Sequence, residues 1–351
     1  MPACAAARPS TETPAFRQYA IRGGDGIDRL VVRDMARQPL GEQDVRVRIR
    51  AVALNYRDLM VARGTAGLPG RSLVPASDGA GEVIEVGAAV TGLQVGDCVI
   101  STFFPDWRAG PANGHVAARA LGGSMDGVLA EEVVLPATAW VPMPAHLDFA
   151  EAATLTCAGV TAWHGLFGLD PIPPGGTVAL LGTGGVSIWA LQLATAAGLR
   201  AIVTSSDDAK LERARALGAE DTINYRATPD WGAAILEVTG GRGVDRVLDI
   251  GGPDTIGQSI TALRMGGTIA IIGRLTGAAP AQFDPAALFG GAKRMAGLMV
   301  GSHAMTHDLA RFVEQSRLRP VIDRAFTFEQ VGQAYRYLEE AAHFGKVVVD
   351  V

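Results

Sequence analysis

One uncharged run, Val178–Ala194 (VALLGTGGVSIWALQLA), restricts the possible folds of this chain more than any other segment. It combines a short apolar strand, a glycine-rich turn and an apolar helix. Gly182 permits the tight turn, Gly184 allows a pyrophosphate to approach, and Ser187 is small enough for close helix–strand packing. The helix N-terminus offers free N–H groups and a positive dipole end to that anion. The run therefore predicts a dinucleotide site that includes Gly182, Thr183, Gly184, Gly185 and Val186.

Strand and helix patterns alternate around this run. Helical spacing covers His146–Leu169, and two further helices are expected at Ala209–Leu217 and Thr255–Leu263. Repeated βα units of this kind predict an α/β fold with a doubly wound parallel sheet, here over residues 146–307. The glycines and prolines of 171–199 break that uncharged stretch, so no membrane span is expected. The predicted strands are Thr177–Leu181, Ala201–Thr204, Asp221–Tyr225, Arg246–Ile250, Thr268–Ile272 and Met295–Ser302.

The first third of the chain is predicted to be rich in β-structure. Val45–Val52 alternates apolar and charged residues, which is typical of a half-buried strand. Residues 15–145 therefore form a second predicted domain, and 103–127 form a long loop within it. The last segment, Gly345–Val351, also alternates, so residues 308–351 are expected to return to this domain. Residues 1–14 are interpreted as a disordered tail rather than a signal peptide. Further strands are expected at Gly79–Gly87, Asp97–Thr102 and Val128–Leu135.

Composition narrows the function classes. The chain has 351 residues, enough for two domains, and a net charge of −5 without a basic run. This balance excludes nucleic acid as the main partner. Three cysteines without a CxxC pair exclude a disulfide framework and indicate a reducing compartment, the cytoplasm.

The residues after the second predicted α/β strand bear on cofactor choice. Ser205 and Ser206 are neutral hydrogen-bonding groups, and Lys210 follows one helical turn later. The two aspartates between them are interpreted as the cap and first-turn acid of the next helix. A neutral strand end with a nearby cation favours NADPH over NADH. Tyr225, at the end of the following strand, either stacks near the adenine or phosphate or is a boundary aromatic.

The chain resembles the medium-chain dehydrogenase/reductase superfamily. The resemblance covers nearly all residues after 14 and rests on AVALNYRD at 51–58, the 77–99 segment, AATLTCAGVTAWHGL at 152–166, the 182–187 loop and GKVVVDV at 345–351. It implies a GroES-like β domain, a Rossmann domain, hydride transfer with a nicotinamide nucleotide, and a dimer or tetramer, of which a homodimer is expected. The chain is most similar to the zinc-free members, which are alcohol dehydrogenase-like or quinone oxidoreductase-like.

Departures from the zinc enzymes of this superfamily are informative. By the resemblance, Asn55 replaces a cysteine ligand, Ser77 replaces a histidine ligand, and only Cys157 matches a ligand position. One thiol cannot supply the three protein ligands of a catalytic zinc site. Residues 103–127 contain no cysteine for a structural zinc. Arg57 replaces a hydroxyl of the usual proton relay, so the sequence predicts a zinc-independent enzyme.

Candidate catalytic residues follow the first long strand. Tyr56 or Arg57 is expected to polarise a substrate carbonyl, and Tyr56 is a candidate proton donor. Asp58 either orients Arg57 or caps a helix, and Asn55 belongs to the same cluster. The resemblance places Gly273, Met299, Val300, Gly301 and Ser302 near the nicotinamide carboxamide, and Trp107 and Cys157 in the substrate pocket.

The predicted function is an NADPH-dependent oxidoreductase that transfers hydride to an activated C=C bond or a quinone. Conjugate addition suits a site without a metal, because N–H and O–H donors can stabilise the delocalised negative charge. Two alternatives remain at this level. One is a zinc-free alcohol dehydrogenase or ketone reductase, and the other is a nucleotide-binding redox sensor without turnover.

Overall fold

The computed structural model describes residues 15–277 and 279–351, so the tail expected at residues 1–14 lies outside the described part. The predicted fold class is confirmed: a β-rich GroES-like domain accompanies an α/β domain with a six-stranded parallel sheet. The elements of the first part of the chain are β1 (Ala15–Arg22), β2 (Val31–Ala36), β3 (Asp44–Leu54), α1 (Tyr56–Ala62), β4 (Ser72–Leu73), β5 (Asp78–Val86), β6 (Cys98–Ser101), α2 (Gly114–Ala117), β7 (Glu132–Pro136) and β8 (Trp140–Pro142).

The α/β domain follows as one continuous segment. Its elements are α3 (Phe149–Ala153), α4 (Val160–Phe167), β9 (Thr177–Leu181), α5 (Gly185–Ala196), β10 (Arg200–Ser205), α6 (Asp208–Ala216), β11 (Asp221–Asn224), α7 (Trp231–Val238), β12 (Val244–Asp249), α8 (Ile256–Ala262), β13 (Leu263–Ile271), α9 (Ala286–Phe289), β14 (Arg294–Gly297) and α10 (His303–Ser316). The strand order is β11-β10-β9-β12-β13-β14. All five residues of β9 are buried, which explains why this strand carries no charge. No helix among residues 15–277 and 279–351 is long and apolar enough to cross a membrane.

The C-terminal segment contributes two strands to the β-rich domain. It consists of β15 (Ile322–Thr327), α11 (Val331–Glu339) and β16 (Lys346–Asp350). Strand β16 lies antiparallel to β3, and the main sheet has the order β15-β16-β3-β5-β6-β8, with β7 also paired to β3. The backbone N–H of Gly345 donates to the carbonyl of Thr183 at 3.0 Å. The same segment therefore touches both domains.

Strands β7 and β13 begin at Glu132 and Leu263 rather than at Val128 and Thr268, and two further elements differ more from their sequence expectations. The helix expected over 146–169 is interrupted by a π-helical turn at Leu155–Gly159. The strand expected over 295–302 ends at Gly297, because Val300 has a positive φ of 30° and Ser302 caps α10. Both differences lie beside the candidate site, where π-turns and strained residues are frequent.

Candidate functional site

The glycine-rich turn joins β9 to α5 as the sequence predicts. Gly182 has a φ of +75°, which a residue with a side chain rarely adopts, and its N–H donates to Thr204 O at 2.8 Å. The buried hydroxyl of Ser187 donates to Leu181 O at 2.6 Å, which shows how serine fits the third glycine position. A Cβ built on Gly184 would meet no atom within 4 Å. The turn therefore has open space at the helix N-terminus for a dinucleotide pyrophosphate.

The acidic residues after β10 have structural partners. Asp207 accepts from Lys210 N at 3.1 Å and caps α6, as the sequence indicated. Asp208 accepts from the amide of Asn224 at 2.7 Å. Ser205 is buried at the strand end. Each aspartate thus has one structural partner, and both stay exposed beside the neutral strand residue Ser205.

The ammonium of Lys210 is also engaged. It donates to the backbone carbonyls of Ala341 and His343, each at 3.0 Å. Lys210 therefore anchors the C-terminal turn that crosses the glycine loop. Tyr225 is 42% exposed at the end of β11, so its ring is accessible from solvent. A contact of either residue with the cofactor stays a prediction.

The centre of the site is a buried lysine that sequence reasoning missed. Lys346, at the start of β16, is 3% exposed, and its Nζ donates to Leu54 O and Asn55 Oδ1, each at 2.6 Å. It also lies 3.8 Å from Asp78 Oδ2. A Cβ built on Gly185 would lie 2.7 Å from Lys346 Cδ, so the lysine stem fills the space that this glycine leaves. One side chain thus connects the nucleotide loop to the 55–58 segment.

Lys346 also defines the orientation of the Asn55 amide. An ammonium only donates, so the amide oxygen must face it, and the Asn55 Nδ2 must point elsewhere. That Nδ2 is buried, makes no hydrogen bond of strict geometry within the described chain, and lies close enough to the Asp78 carboxylate to lower the pKa of Asp78 as a donor. The backbone N–H of Asn55 donates to Asp58 Oδ2 at 2.8 Å. The strand end therefore contains a buried amide whose oxygen is held by Lys346 and whose Nδ2 lies beside Asp78.

Asp78 completes the charge pair beneath Asn55. It is fully buried and accepts from Ser77 Oγ at 2.6 Å and from the Cys157 N–H at 3.2 Å. Burial raises the pKa of Asp78, and the Lys346 ammonium opposes that rise. Burial, followed by the negative Asp78, raises the pKa of the Cys157 thiol to about 12. The thiol is therefore protonated at neutral pH.

The donor set at this position does not fit zinc. Asn55 Oδ1 already accepts from Lys346, and Asp78 is paired with the same ammonium. Cys157 alone remains, whereas catalytic zinc has three protein ligands. Among residues 15–277 and 279–351, no group of three or more His, Cys, Asp or Glu side chains could hold a metal ion. No step through a metal is derived for this site.

Tyr56 and Arg57 lie on α1, to one side of Asn55. Tyr56 is 42% exposed. The Arg57 guanidinium donates to Leu121 O and lies 4.3 Å above the Phe103 ring, so it faces the 103–127 loop. These contacts occupy one face and one amino group of Arg57, while its buried Nε lacks a partner in the described chain. The expected roles of both residues stay predictions.

Asp58 is almost completely buried, which perturbs its ionisation. Burial raises the pKa of Asp58 from 3.8 to about 6, and the positive charge of Arg57 is the largest effect opposing it. The folded protein therefore binds a proton at Asp58 more tightly than the unfolded chain does. The stability that Asp58 contributes is therefore fully present below pH 3.8 and is lost as the pH rises through about 6.

We expect the Asp58 contribution to the free energy of unfolding to fall as pH rises from 3.8 towards about 6. Carboxyl groups whose pKa values are lowered contribute the opposite slope, namely those of Asp245, Asp323 and Glu329. Asp58→Asn should remove the falling contribution, because its amide does not ionise, so the slope of the variant should be more positive than that of the wild type. Buried Asp78 adds a falling contribution of its own, which the variant keeps. Urea unfolding across this interval measures the effect, with Asp34→Asn as the exposed control. An Asp58→Asn slope as steep as that of the wild type would contradict the assignment.

The 103–127 segment packs inward over the site. Its cluster consists of Phe103, Phe104, Trp107, Val116 and Ala120, with Cys157 and Val300 packed against it. Trp107 and Cys157, predicted for the substrate pocket, are thus close together. The apolar character of this cover favours a substrate with an apolar body.

Other residues predicted for the cofactor lie at the carboxyl edge of the parallel sheet. A Cβ on Gly273 would lie 2.4 Å from Ile250 O, and one on Gly301 would lie 2.3 Å from Val160 Cγ1. Ser302 is buried and caps α10. Sequence reasoning missed Asp249, whose buried carboxylate accepts from Gly251 N, Gly252 N, Thr255 Oγ1 and Ser259 Oγ. Asp249 therefore shapes the loop after β12.

Family comparisons match both domains. Residues 41–145 match the alcohol dehydrogenase GroES-like domain, and residues 185–315 match the zinc-binding dehydrogenase family. A zinc-type alcohol dehydrogenase-like protein of Schizosaccharomyces pombe is 42% identical over 320 residues, which cover 90% of this chain and 92% of the relative. Mycoketide-CoA synthase of Mycobacterium tuberculosis is 33% identical over 89% of this chain, which corresponds to only 7% of that protein.

Solved structures extend the match to three dimensions. A structure from Sinorhizobium meliloti assigned to the alcohol dehydrogenases has a TM-score of 0.90 and 39% identity, covering 97% of this chain and all of its own. A solved NAD-dependent alcohol dehydrogenase has a TM-score of 0.84 and 34% identity, covering 95% of this chain and 99% of its own.

Proposed function

The chain belongs to the medium-chain dehydrogenase/reductase superfamily and is a nicotinamide-dependent oxidoreductase; on this premise we propose that it is an NADPH-dependent, zinc-independent reductase of activated C=C bonds or quinones. The observation that carries the proposal is the Asn55 amide. Its oxygen is held by Lys346, and of the two hydrogens on its buried Nδ2 at most one is directed to Asp78, which leaves the other for an oxyanion. A fixed N–H donor stabilises an oxyanion without a metal.

The proposed reaction follows from these groups. A reduced nicotinamide bound at the glycine turn would supply the hydride. Asn55 Nδ2 would donate to the carbonyl oxygen of an enone as hydride adds at the β-carbon and negative charge moves to that oxygen. A proton then reaches the α-carbon, with Tyr56, the residue that follows Asn55 in the chain, as the proposed donor. A quinone would gain the same hydride and proton and become a hydroquinone.

The neutral end of β10 supports NADPH over NADH. Ser205 ends the strand, and Asp207 and Asp208 are used by the α6 cap and by Asn224. An acidic residue free to bind both ribose hydroxyls would favour NADH instead. We therefore expect a higher kcat/KM with NADPH than with NADH.

A substrate panel tests the proposal. Chelator-treated, metal-analysed protein is assayed for NADPH and NADH oxidation with quinones, enones, aldehydes and ketones, and for the reverse reaction with simple alcohols. We expect turnover of enones or quinones with NADPH and no stoichiometric zinc. Activity confined to alcohols and aldehydes, or activity that requires a bound metal, would contradict the proposal.

A zinc-free alcohol dehydrogenase is the second candidate. Its alcohol dehydrogenase part is favoured by the names of the S. pombe relative, which is of the zinc type, and of both structural neighbours; its zinc-free part rests on the donor set around Asn55. The same Asn55 donor could polarise an aldehyde or ketone. Oxidation of simple alcohols in the panel distinguishes this reaction from conjugate reduction.

We further propose a cytoplasmic homodimer. Strand β14 forms one edge of the parallel sheet, and the exposed side chains nearby include Met265, 71% exposed, and Phe289, 78% exposed. Cys98 and Cys157 are free thiols, which suits a reducing compartment. Light scattering that gives the 36.5 kDa mass of one chain would contradict the dimer.

A further inference from the structure

The turn between β14 and α10 contains a strained residue. Val300 has a φ of +30°, and a β-branched side chain is a rare outlier at positive φ. Gly301 follows, where a Cβ would lie 2.3 Å from Val160 Cγ1. Such backbone persists only when the surrounding structure holds it, and it concentrates at functional sites.

His164, on α4, holds this turn from the α/β domain. Its Nδ1 lies 3.0 Å from the Val300 carbonyl oxygen. A carbonyl only accepts, so Nδ1 carries the hydrogen. Burial lowers the pKa of His164, which keeps the imidazole neutral. The Trp107 ring stands edge-on to the imidazole, with 6.3 Å between ring centroids.

The 103–127 segment holds the other side of the turn. His303 N donates to Trp107 O at 2.8 Å, and Ala304 N donates to Arg108 O at 3.0 Å. The turn is therefore clamped between the two domains. It follows the carboxyl end of β14, at the same sheet edge as the glycine turn after β9, where open α/β sheets bind their ligands. Val300 and Cys157 both pack against the apolar cluster of this segment, and the Cys157 N–H donates to Asp78 Oδ2.

We propose that His164 is a positioning residue for the nicotinamide ring: by holding the Val300 carbonyl, it keeps the 299–302 backbone in the conformation that binds the carboxamide. This inference rests on the proposed function, because it requires a nicotinamide nucleotide. His164 acts through the backbone and does not touch the reacting atoms. It therefore affects nicotinamide binding and leaves the adenosine half of the cofactor unaffected.

The test separates the two halves of the cofactor. His164→Phe keeps a ring but removes the donor, whereas His164→Asn restores an N–H near the Nδ1 position. Fluorescence titration measures Kd for NADPH and for its reduced 3-acetylpyridine analogue, and displacement measures Kd for 2′-phospho-ADP-ribose. If NADH binds more tightly than NADPH, the corresponding non-phosphorylated ligands are used.

We expect His164→Phe to weaken NADPH binding about tenfold, which is the scale of one lost hydrogen bond. In this variant the binding of 2′-phospho-ADP-ribose should stay unchanged, and the ratio of the affinities for NADPH and for the 3-acetylpyridine analogue should decrease. His164→Asn should recover most of the affinity for NADPH. The control is His146→Phe, since His146 makes a similar 2.9 Å contact to Leu318 O elsewhere. It should leave all three affinities unchanged.

The inference would be overturned if His164→Phe weakened the binding of NADPH and of 2′-phospho-ADP-ribose equally, or if it weakened the binding of neither. The same holds if His146→Phe reproduces the loss. These titrations contain no substrate, so they are independent of the substrate proposal. Selective loss of nicotinamide affinity in a protein that reduces no enone or quinone would support His164 and reject the proposed substrate class. A wild type that binds no nicotinamide nucleotide would reject both.

Discussion

Lys346→Met is expected to lower the free energy of unfolding by about 3 kcal/mol and to reduce turnover sharply. Methionine preserves the stem that packs on Gly185 but removes the ammonium. Leu54 O and Asn55 Oδ1 then lose their donor, and Asp78 becomes a buried carboxylate without its cation. Urea unfolding and steady-state kinetics measure the two effects.

A matched control is available in the α/β domain. Lys293 donates to Ile260 O at 2.6 Å without an ionic partner in the described chain. Lys293→Met should therefore lower the free energy of unfolding much less than Lys346→Met does. Combining Lys346→Met with Asp78→Asn should be less destabilising than the sum of the single changes, because the stranded charge is removed. Strict additivity, or equal losses at Lys346 and Lys293, would refute the central role of this ion pair.

Asn55→Asp is expected to lower kcat about 100-fold while leaving cofactor binding nearly unchanged. The aspartate has the same shape and still accepts from Lys346, but it offers no N–H to a developing oxyanion. The variant therefore separates the donor role of Asn55 from its contact with Lys346. Kinetics with an enone or quinone, together with NADPH titration, make the measurement.

Asn113 provides the control for this substitution. Its side-chain oxygen caps α2 by accepting from His115 N and Val116 N, a role that aspartate also performs. Asn113→Asp should therefore retain full activity. If Asn55→Asp turns over as fast as the wild type, Asn55 is not the polarising group, and Arg57 or Tyr56 becomes the better assignment.

The sequence predicted the parts of the site that depend on neighbouring residues. Strand Thr177–Leu181, the turn at Gly182 and the helix beyond Gly185 were predicted because their periodicity and glycine chemistry are local. The Asp207 cap of α6 belongs to the same class. The sheet order required the family resemblance, since strand pairing depends on residues far apart in the chain.

The parts that sequence reasoning missed depend on long-range contacts. Lys346 and Leu54, whose carbonyl oxygen accepts from it, are 292 positions apart. The alternating pattern of the last strand showed that a lysine begins the strand, but not which atoms its ammonium contacts. His164 was missed as well, because nothing local indicates its hydrogen bond to the Val300 carbonyl. The π-turn at Leu155–Gly159 preserved helical spacing on both sides, so periodicity did not reveal it.

The pairing of β16 with β3 has a consequence for synthesis on the ribosome. Strand β3 is made early, but β16 follows every element of the α/β domain. The six strands of the parallel sheet are contiguous in sequence, so the α/β domain can fold during translation, before β16 has been made and can pair with β3. An unpaired strand edge can bind another nascent chain. Translation of the α/β domain is therefore the interval in which the edge of β3 lacks its β16 partner.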